Sequence, residues 1–309
     1  MNKIIRIWNQ NRRKIIIIAL VIVFFFIVLQ VLNQMAKNNI EKNNAKQENK
    51  EKENLPTQSI ITGEVVKEET TKTNVEVINT FVDNCNNKDI DSAYSLLTEE
   101  CKEILFPTKD SFINNYYNVI FSENRTIKIE NYKNSTKNNT YKVTFYGDAL
   151  STGNISGTDK YQDYITIDKE TKKLNINSLI TSNEMNSEKE VNGIKIQVLR
   201  QDIYIDYEKY EIKVENNTDK TVMIDNLTSS KKIYVVDNDN IKYTAFTSEI
   251  ANNLLELPKY VTKTYSIKFN KKYNPSSKIK KVVFSDIVED YEKYKQEKTE
   301  DRLKIEVDL

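Results

Sequence analysis

Residues 210–222 read Tyr-Glu-Ile-Lys-Val-Glu-Asn-Asn-Thr-Asp-Lys-Thr-Val, and this stretch decides how the second half of the chain is expected to fold. Tyr210, Ile212 and Val214 alternate with charged residues, which is the period of a strand with one buried face. Residues 215–219 are polar and include asparagine and aspartate, whose side chains bond to nearby backbone groups in turns. The stretch therefore predicts a strand, a turn and a second strand that begins at Thr221.

The same alternation recurs on both sides of this stretch. It predicts further strands at 194–199, 233–236, 241–246, 264–269 and 279–284. About seven short strands separated by polar turns are typical of a β-sandwich. Residues 193–288 also resemble an immunoglobulin-like domain of bacterial surface lipoproteins, because residues 210–222 follow the strand–turn–strand motif of those domains. We expect an all-β immunoglobulin-like sandwich over residues 191–288.

Composition and pattern disagree at the C-terminus, residues 289–309. Residues 289–302 are nearly all charged, which is typical of a solvated tail or an exposed helix. Leu303, Ile305, Val307 and Leu309 then alternate strictly with charged residues. A free tail gains nothing from four apolar residues on one face, so this alternation predicts a strand at a sheet edge of the sandwich, with exchange of the strand into a neighbouring chain as the alternative.

Residues 73–182 begin with apolar residues at helical spacing. Val75, Ile78, Val82 and Cys85 recur at the helical period, and two further helices are expected before residue 121. From Thr126 the period changes to two, which predicts antiparallel strands. Helices followed by strands indicate an α+β domain, and the polar residues 183–190 predict a linker to the sandwich.

Three motifs in residues 73–182 resemble the NTF2-like superfamily. They are Val75-Glu-Val-Ile-Asn-Thr-Phe81, Ala93-Tyr-Ser-Leu-Leu-Thr-Glu-Glu-Cys101 and Phe106-Pro-Thr-Lys-Asp-Ser-Phe112. The resemblance implies three helices on a curved antiparallel sheet, as in membrane-anchored NTF2-like proteins of Gram-positive bacteria, some of which are conjugation-channel subunits. The predicted all-β second domain departs from the pattern of those subunits.

The N-terminal residues predict a membrane anchor. Residues 1–14 form a basic tail, residues 15–32 are almost wholly apolar, and residues 33–72 are a polar segment that reads as a flexible linker. About 18 apolar residues suffice to cross a bilayer. Basic residues before the apolar run place the N-terminus in the cytoplasm and the bulk of the chain outside the cell. We therefore predict a single-pass protein of the cell membrane, with a cleaved signal peptide as the alternative.

Composition argues against several kinds of site. The chain has no histidine, which removes the commonest general base and transition-metal ligand. Its only cysteines are Cys85 and Cys101, too few for a disulfide framework or a cysteine-based zinc site, although one disulfide between them stays open. Lys and Arg number 46 against 45 Asp and Glu, so the net charge gives no reason to expect nucleic-acid binding. We predict no catalytic residue, no cofactor-binding residue and no metal ligand.

Three weaker candidates remain. An NTF2-like pocket would be lined by residues such as Tyr116, Tyr117, Tyr141 and Asp148, although tyrosine at regular spacing is normally packing. Residues 237–240, Asp-Asn-Asp-Asn, look like half of a calcium loop but lack its glycine and its trailing glutamate, so a hairpin turn is expected. Basic pairs offer a surface for an anionic polymer or simple edge protection, and they lie at 231–232, 271–272 and 280–281.

These features predict a binding or scaffold protein rather than an enzyme. The expected partners are the lipid bilayer, through residues 15–32, and other envelope proteins or wall polymer; a conjugation apparatus is one setting. The alternative is a tethered small-ligand sensor or enzyme that uses the NTF2-like pocket. No cofactor is expected in either case.

Overall fold

A long helix followed by a run of short ones precedes the first sheet. The structure, a computed structural model, describes residues 55–147, 160–225, 232–246, 255–298 and 302–309. Helix α1 spans Glu68–Asn86 and buries Ile78, Phe81, Val82 and Cys85 on one face. The short helices are α2 (Ile90–Ser95), α3 (Glu99–Leu105), α4 (Lys109–Phe112), a π-helical turn (Ile113–Tyr117) and α5 (Asn118–Ile120).

Side-chain caps explain where the short helices begin. Asp89, Thr98 and Thr108 each accept a hydrogen bond from a backbone N–H in the first turn of α2, α3 and α4, respectively. Thr108 forms a reciprocal capping box with Ser111. Such caps satisfy donors that a helix start leaves unpaired, and each contributes roughly 1 kcal/mol.

The first sheet is antiparallel and runs in chain order. Its strands are β1 (Arg125–Asn134), β2 (Asn138–Gly147), β3 (Lys160–Asp168) and β4 (Leu174–Asn175). The first hydrophobic core joins this sheet to the helices and includes Phe81, Phe112, Tyr141, Phe145 and Ile165, all fully buried.

Two further sheets enclose a second core. One has the order β12-β7-β6-β5, formed by β5 (Leu179–Val191), β6 (Ile194–Tyr204), β7 (Glu208–Asn216) and β12 (Thr262–Phe269). The other has the order β10-β9-β13-β8-β11, formed by β8 (Val222–Met223), β9 (Ile233–Asp237), β10 (Lys242–Thr244), β11 (Glu256–Leu257) and β13 (Ile279–Val288). Their buried faces share one cluster that includes Ile196, Ile212, Val235, Ile267 and Phe284.

The C-terminal residues complete the second of these sheets. Helix α6 spans Tyr291–Glu297, and strand β14, Arg302–Asp308, pairs antiparallel with β13. Ile305 and Val307 are each 1% exposed, while Leu303 and Leu309 pack at the rim of the same core. A strand therefore lies where the alternation at 303–309 predicts one.

Several sequence predictions need correction. The predicted class, an α+β NTF2-like domain followed by an immunoglobulin-like sandwich, is wrong, because the described chain is mainly β-sheet with few helices. The helical part is one long and several short segments, not three helices on a curved sheet. Residues 183–190, predicted as a linker, lie within β5 and pair with β6. Residues Pro56–Leu309 form one compact unit.

Among the N-terminal predictions, the membrane location is corrected, and the predicted segments lie wholly or partly outside the described residues. Within the described ranges, no helix has both the length and the apolar character needed to cross a membrane. On that finding the predicted single-pass membrane location is withdrawn; its segment, residues 15–32, lies outside the described residues. The predicted linker 33–72 is described only from Leu55, and there it holds a small hairpin and the first turns of α1.

Candidate functional site

An open cleft of about 890 Å³ lies where the N-terminal hairpin meets two turns of the first sheet. Its lining combines lysines, hydroxyl groups and amides with few apolar side chains. The lining residues are Glu64, Val65, Val66, Lys67, Thr70, Asn134, Ser135, Thr136, Asn139, Lys169, Lys172 and Pro275. No aromatic ring is among them.

The hairpin formed by residues 57–66 makes one wall of the cleft. Its backbone closes on itself through Val66 N–H to Thr57 O at 2.8 Å and Ser59 N–H to Glu64 O at 2.8 Å. Gly63 takes a φ of +71° in the turn, a conformation that favours glycine. Ser59 Oγ donates to Tyr132 O at 2.6 Å, so the hairpin is held against β1.

Two turns of the sheet, bound to each other, make the opposite wall. In the β1–β2 turn, Ser135 N–H donates to Asn138 O at 2.8 Å. In the β3–β4 turn, the Asp168 carboxylate accepts from Glu170 N–H at 3.1 Å and Thr171 N–H at 2.7 Å. Lys169 N–H then donates to Lys137 O at 2.9 Å across the two turns. The wall is therefore fixed by backbone bonds within and between the turns, together with the Asp168 carboxylate.

Paired asparagines form the floor of the cleft. Asn134 and Asn139 are opposite each other in the β1–β2 register, and Asn139 is 1% exposed. Neither the amide oxygen nor the amide nitrogen of either residue has a hydrogen-bond partner in the described part of the chain. Leaving a buried polar group unpaired costs roughly 1–3 kcal/mol, so these four atoms favour a partner that supplies both donors and acceptors.

A bulge in β1 lies beside these amides. The β1–β2 register shifts between Asn131 and Lys133, and bulges are frequent next to functional sites because they redirect side chains. Asn131 is also 1% exposed, and its amide has no partner within the described ranges. The Lys133 ammonium lies 5.8 Å from the centroid of the Tyr273 ring. Burial lowers the pKa of Lys133.

Positive charge dominates the cleft lining. Lys67, Lys169 and Lys172 face a single carboxylate, Glu64. The Lys169 ammonium hydrogen-bonds to Ser135 O, which orients it along the wall. Helix α1 begins at the cleft, and its N-terminal partial positive charge is offset in part by Glu68 and Glu69. The lining therefore favours an anionic ligand.

The tyrosines considered as pocket residues are placed in the core instead. Tyr116 is 2% exposed and donates to Asp163 Oδ2 at 2.8 Å, while Tyr141 accepts from Asn74 Nδ2 at 3.0 Å. Tyr117 stacks on Phe121. Asp148 lies outside the described residues. None of these described tyrosines lines the cleft.

Asp163 holds a turn rather than a substrate. Its carboxylate accepts from Asn177 N–H at 2.8 Å and Ser178 N–H at 2.8 Å, both residues with positive φ. Burial raises the pKa of Asp163, and the hydrogen bonds from these amides and from Tyr116 oppose that rise. The group is enclosed by protein donors, so it has a structural role.

The calcium-like turn is also structural. The Asp237 carboxylate accepts from Ile241 N–H at 2.8 Å, Tyr243 Oη at 3.0 Å and Ser277 Oγ at 2.7 Å. These protein donors occupy the oxygens that a cation would need. Across the described residues, no group of three or more Cys, Asp or Glu side chains is arranged to hold a metal ion.

Four lysines of the basic pairs bind local partners, and Lys272 is exposed. Lys271 is 2% exposed and pairs with Glu208, Lys232 pairs with Asp286, and Lys281 pairs with Glu306. Lys280 Nζ donates to Asn240 Oδ1 at 2.6 Å. Lys231 lies outside the described residues. Each of these partnered lysines thus serves a local contact.

Both cysteines are buried free thiols. Burial raises the pKa of each thiol to about 12, which leaves little reactive thiolate at neutral pH. They behave as small core residues.

The sequence contains signals for the turns but none for the cleft as a whole. The polar segments 134–139 and 168–171 are recognisable as turns because they are rich in Asn, Ser, Thr and Asp. Nothing local in the sequence shows that these turns bind each other or meet residues 57–67. The one sequence signal for the floor of the cleft is the pair of asparagines, Asn134 and Asn139, at the ends of two paired strands.

Comparisons with known proteins add little. No protein-family model matches the chain, and no curated protein matches it. Among solved structures it is similar to a 2.2 Å crystal structure of a conserved hypothetical protein from Bacillus anthracis, at 14% identity. That similarity covers 33% of this chain and 89% of the other, with a TM-score of 0.26. The resemblance to conjugation-channel subunits stays a prediction.

Proposed function

We propose that this chain is a binding or scaffold protein, not an enzyme, and that its partner occupies the cleft between the hairpin 57–66 and the two linked turns. The observation that carries this proposal is the floor of the cleft, where paired amides are enclosed without partners in the described part of the chain. An amide pair recognises polar groups but supplies no general base or nucleophile. The site is therefore suited to holding a ligand.

Site-specific cross-linking tests this proposal. A photoreactive amino acid at Thr136, in the cleft, is compared with one at Tyr260, which is 68% exposed and does not line the cleft. In the cells that produce the protein, we expect a discrete cross-linked species from the cleft position and none from the control. Identical products from both positions, or none from Thr136, would contradict a role for the cleft in binding.

A further inference from the structure

The cleft has features that specify its ligand as well as its position. Resting on the proposed binding function, we propose that the cleft binds an extended acidic segment of another protein, with main-chain amides of that segment pairing with Asn134 and Asn139. Three independent features of the described residues support this class of ligand.

The first feature is the amide pair. In an extended segment the N–H and the C=O of one residue point to the same side, and a side-chain amide offers an acceptor oxygen and N–H donors, so the two match in a two-point contact. Asn134 and Asn139 line the cleft and their amide atoms are enclosed, so the proposed contact requires each side chain to turn towards the cleft when the ligand binds. Pairing them removes the cost of leaving them without partners, so binding gains more than an ordinary exchange with water.

The second feature is charge. Lys67 and Lys172 stand on opposite walls of the cleft, with Lys169 beside Lys172, against Glu64 alone. A carboxylate-bearing segment between these walls reaches ammonium groups on both sides. Since Lys67 and Lys172 are exposed, each contributes modestly and the affinity falls as salt is added.

The third feature is the apolar tip of the hairpin. Ile60 and Ile61 are each 54% exposed and Val65, which lines the cleft, is 72% exposed. Val65 offers a contact to an apolar residue of a bound strand, whereas Ile60 and Ile61 lie on the same hairpin outside the cleft lining. The cleft lacks the aromatic platform on which sugar rings and bases usually stack, so the lining favours a peptide over a glycan or a nucleic acid.

Fluorescence anisotropy with the intact chain tests the ligand class. The probe is a short, capped, fluorescein-labelled peptide of alternating glutamate and valine, compared with the same peptide carrying glutamine for glutamate. Polygalacturonate and inorganic polyphosphate are the competing anions. We expect the acidic peptide to bind, the neutral one to bind at least about tenfold more weakly, and added salt to weaken binding.

Three variants and one matched control locate the site. Asn139→Ala should weaken binding about tenfold by removing the paired amide, and Asn139→Asp should weaken it further by repelling the acidic peptide. Lys172→Gln should weaken binding about two- to fivefold, whereas Lys242→Gln, an exposed lysine outside the cleft, should leave it unchanged. Circular dichroism and a melting curve establish that each variant folds. If an asparagine variant does not fold, Lys172→Gln still tests whether the peptide binds in the cleft.

Each result separates this inference from the proposed function. If polygalacturonate or polyphosphate binds more tightly than the peptide and depends on Asn139, the cleft is a binding site but the peptide inference is wrong. If Lys172→Gln and Lys242→Gln weaken peptide binding equally, the peptide does not use the cleft and the inference is wrong. If no probe binds and no cross-link forms at Thr136, both proposals are overturned.

Discussion

Single buried polar residues hold the corners between the two sheets of the second core, and Asn216 is the clearest case. It is 1% exposed at the end of β7, and its Nδ2 lies 2.8 Å from Lys220 O and 3.1 Å from Leu257 O. Its Oδ1 accepts from Thr218 N–H at 3.0 Å. This one side chain therefore fixes the turn through which the chain passes from one sheet to the other.

Replacing Asn216 should be costly. Asn216→Ala leaves several buried groups without their partner, and we expect the free energy of unfolding to fall by about 2–4 kcal/mol in urea denaturation. Asn217→Ala is the matched control, since Asn217 is exposed and its backbone bond to Gly193 O survives the change. Equal stability of the two variants would show that Asn216 does not hold this corner.

A buried ion pair supports the start of β7. Lys271 Nζ lies 2.7 Å from Glu208 Oε1, and both residues are at most 2% exposed. Tyr210 Oη also donates to Glu208 Oε2 at 2.8 Å. Lys271→Met leaves the carboxylate buried without its cation, so we expect a loss of about 3–5 kcal/mol.

A double-mutant cycle checks the origin of that loss. Adding Glu208→Gln to Lys271→Met removes the uncompensated charge and should restore most of the stability. Lys272→Met is the control, because Lys272 is exposed. A double variant as unstable as Lys271→Met would mean that packing, and not charge, accounts for the loss.

Glu100 predicts a pH dependence of stability. Burial, with the nearby Asp202 and Asp168 charges, raises the pKa of Glu100 to about 7. An unfolded glutamate titrates near 4.3, so between these values the folded state binds more protons and stability falls as pH rises. Above pH 7 the folded protein carries the full cost of the buried charge.

Substituting Glu100 should remove this dependence. We expect Glu100→Gln to melt a few degrees above the parent at pH 8 and to differ little from it at pH 5. Glu76→Gln, at an exposed position of α1, should leave the pH profile unchanged. A higher melting temperature for Glu100→Gln at pH 5 only would reverse the sign and refute the argument.

At the level of elements, β14 shows how pattern overrides composition. The charged residues before it favour a solvated tail, but the alternation in 303–309 matches a strand that buries Ile305 and Val307. Truncating a buried isoleucine commonly costs about 2–5 kcal/mol. We therefore expect Ile305→Ala to destabilise the protein and to speed amide exchange across 302–308.

Lys304→Ala tests whether the effect depends on burial. Lys304 is next to Ile305 in sequence and lies on the exposed face of β14, so Lys304→Ala should alter the free energy of unfolding by less than about 1 kcal/mol. If amides across 302–308 exchange rapidly in the parent protein, the strand does not form in solution and the prediction is wrong.

At the scale of the whole molecule, β5 decides how the chain responds to protease. Residues 183–190 have a linker-like composition but pair with residues of β6. Backbone held in a sheet does not fit a protease site without local unfolding. Limited proteolysis of native protein should therefore spare 183–190, whereas denatured protein is cut there; early cleavage between Asn183 and Glu190 would refute the pairing.

Local pattern alone determined most strands, several turns and the C-terminal strand, because strand periodicity and turn chemistry depend on neighbouring residues. Only the tertiary structure decided three things. Polar 183–190 became a strand because β6 supplied its hydrogen-bond partners, and the strands flanking 217–221 entered different sheets because those two sheets bury one shared core between them. The cleft arose because Lys169 N–H met Lys137 O and Ser59 met Tyr132. These contacts join residues far apart in the chain, and no local pattern encodes which distant partner a turn will meet.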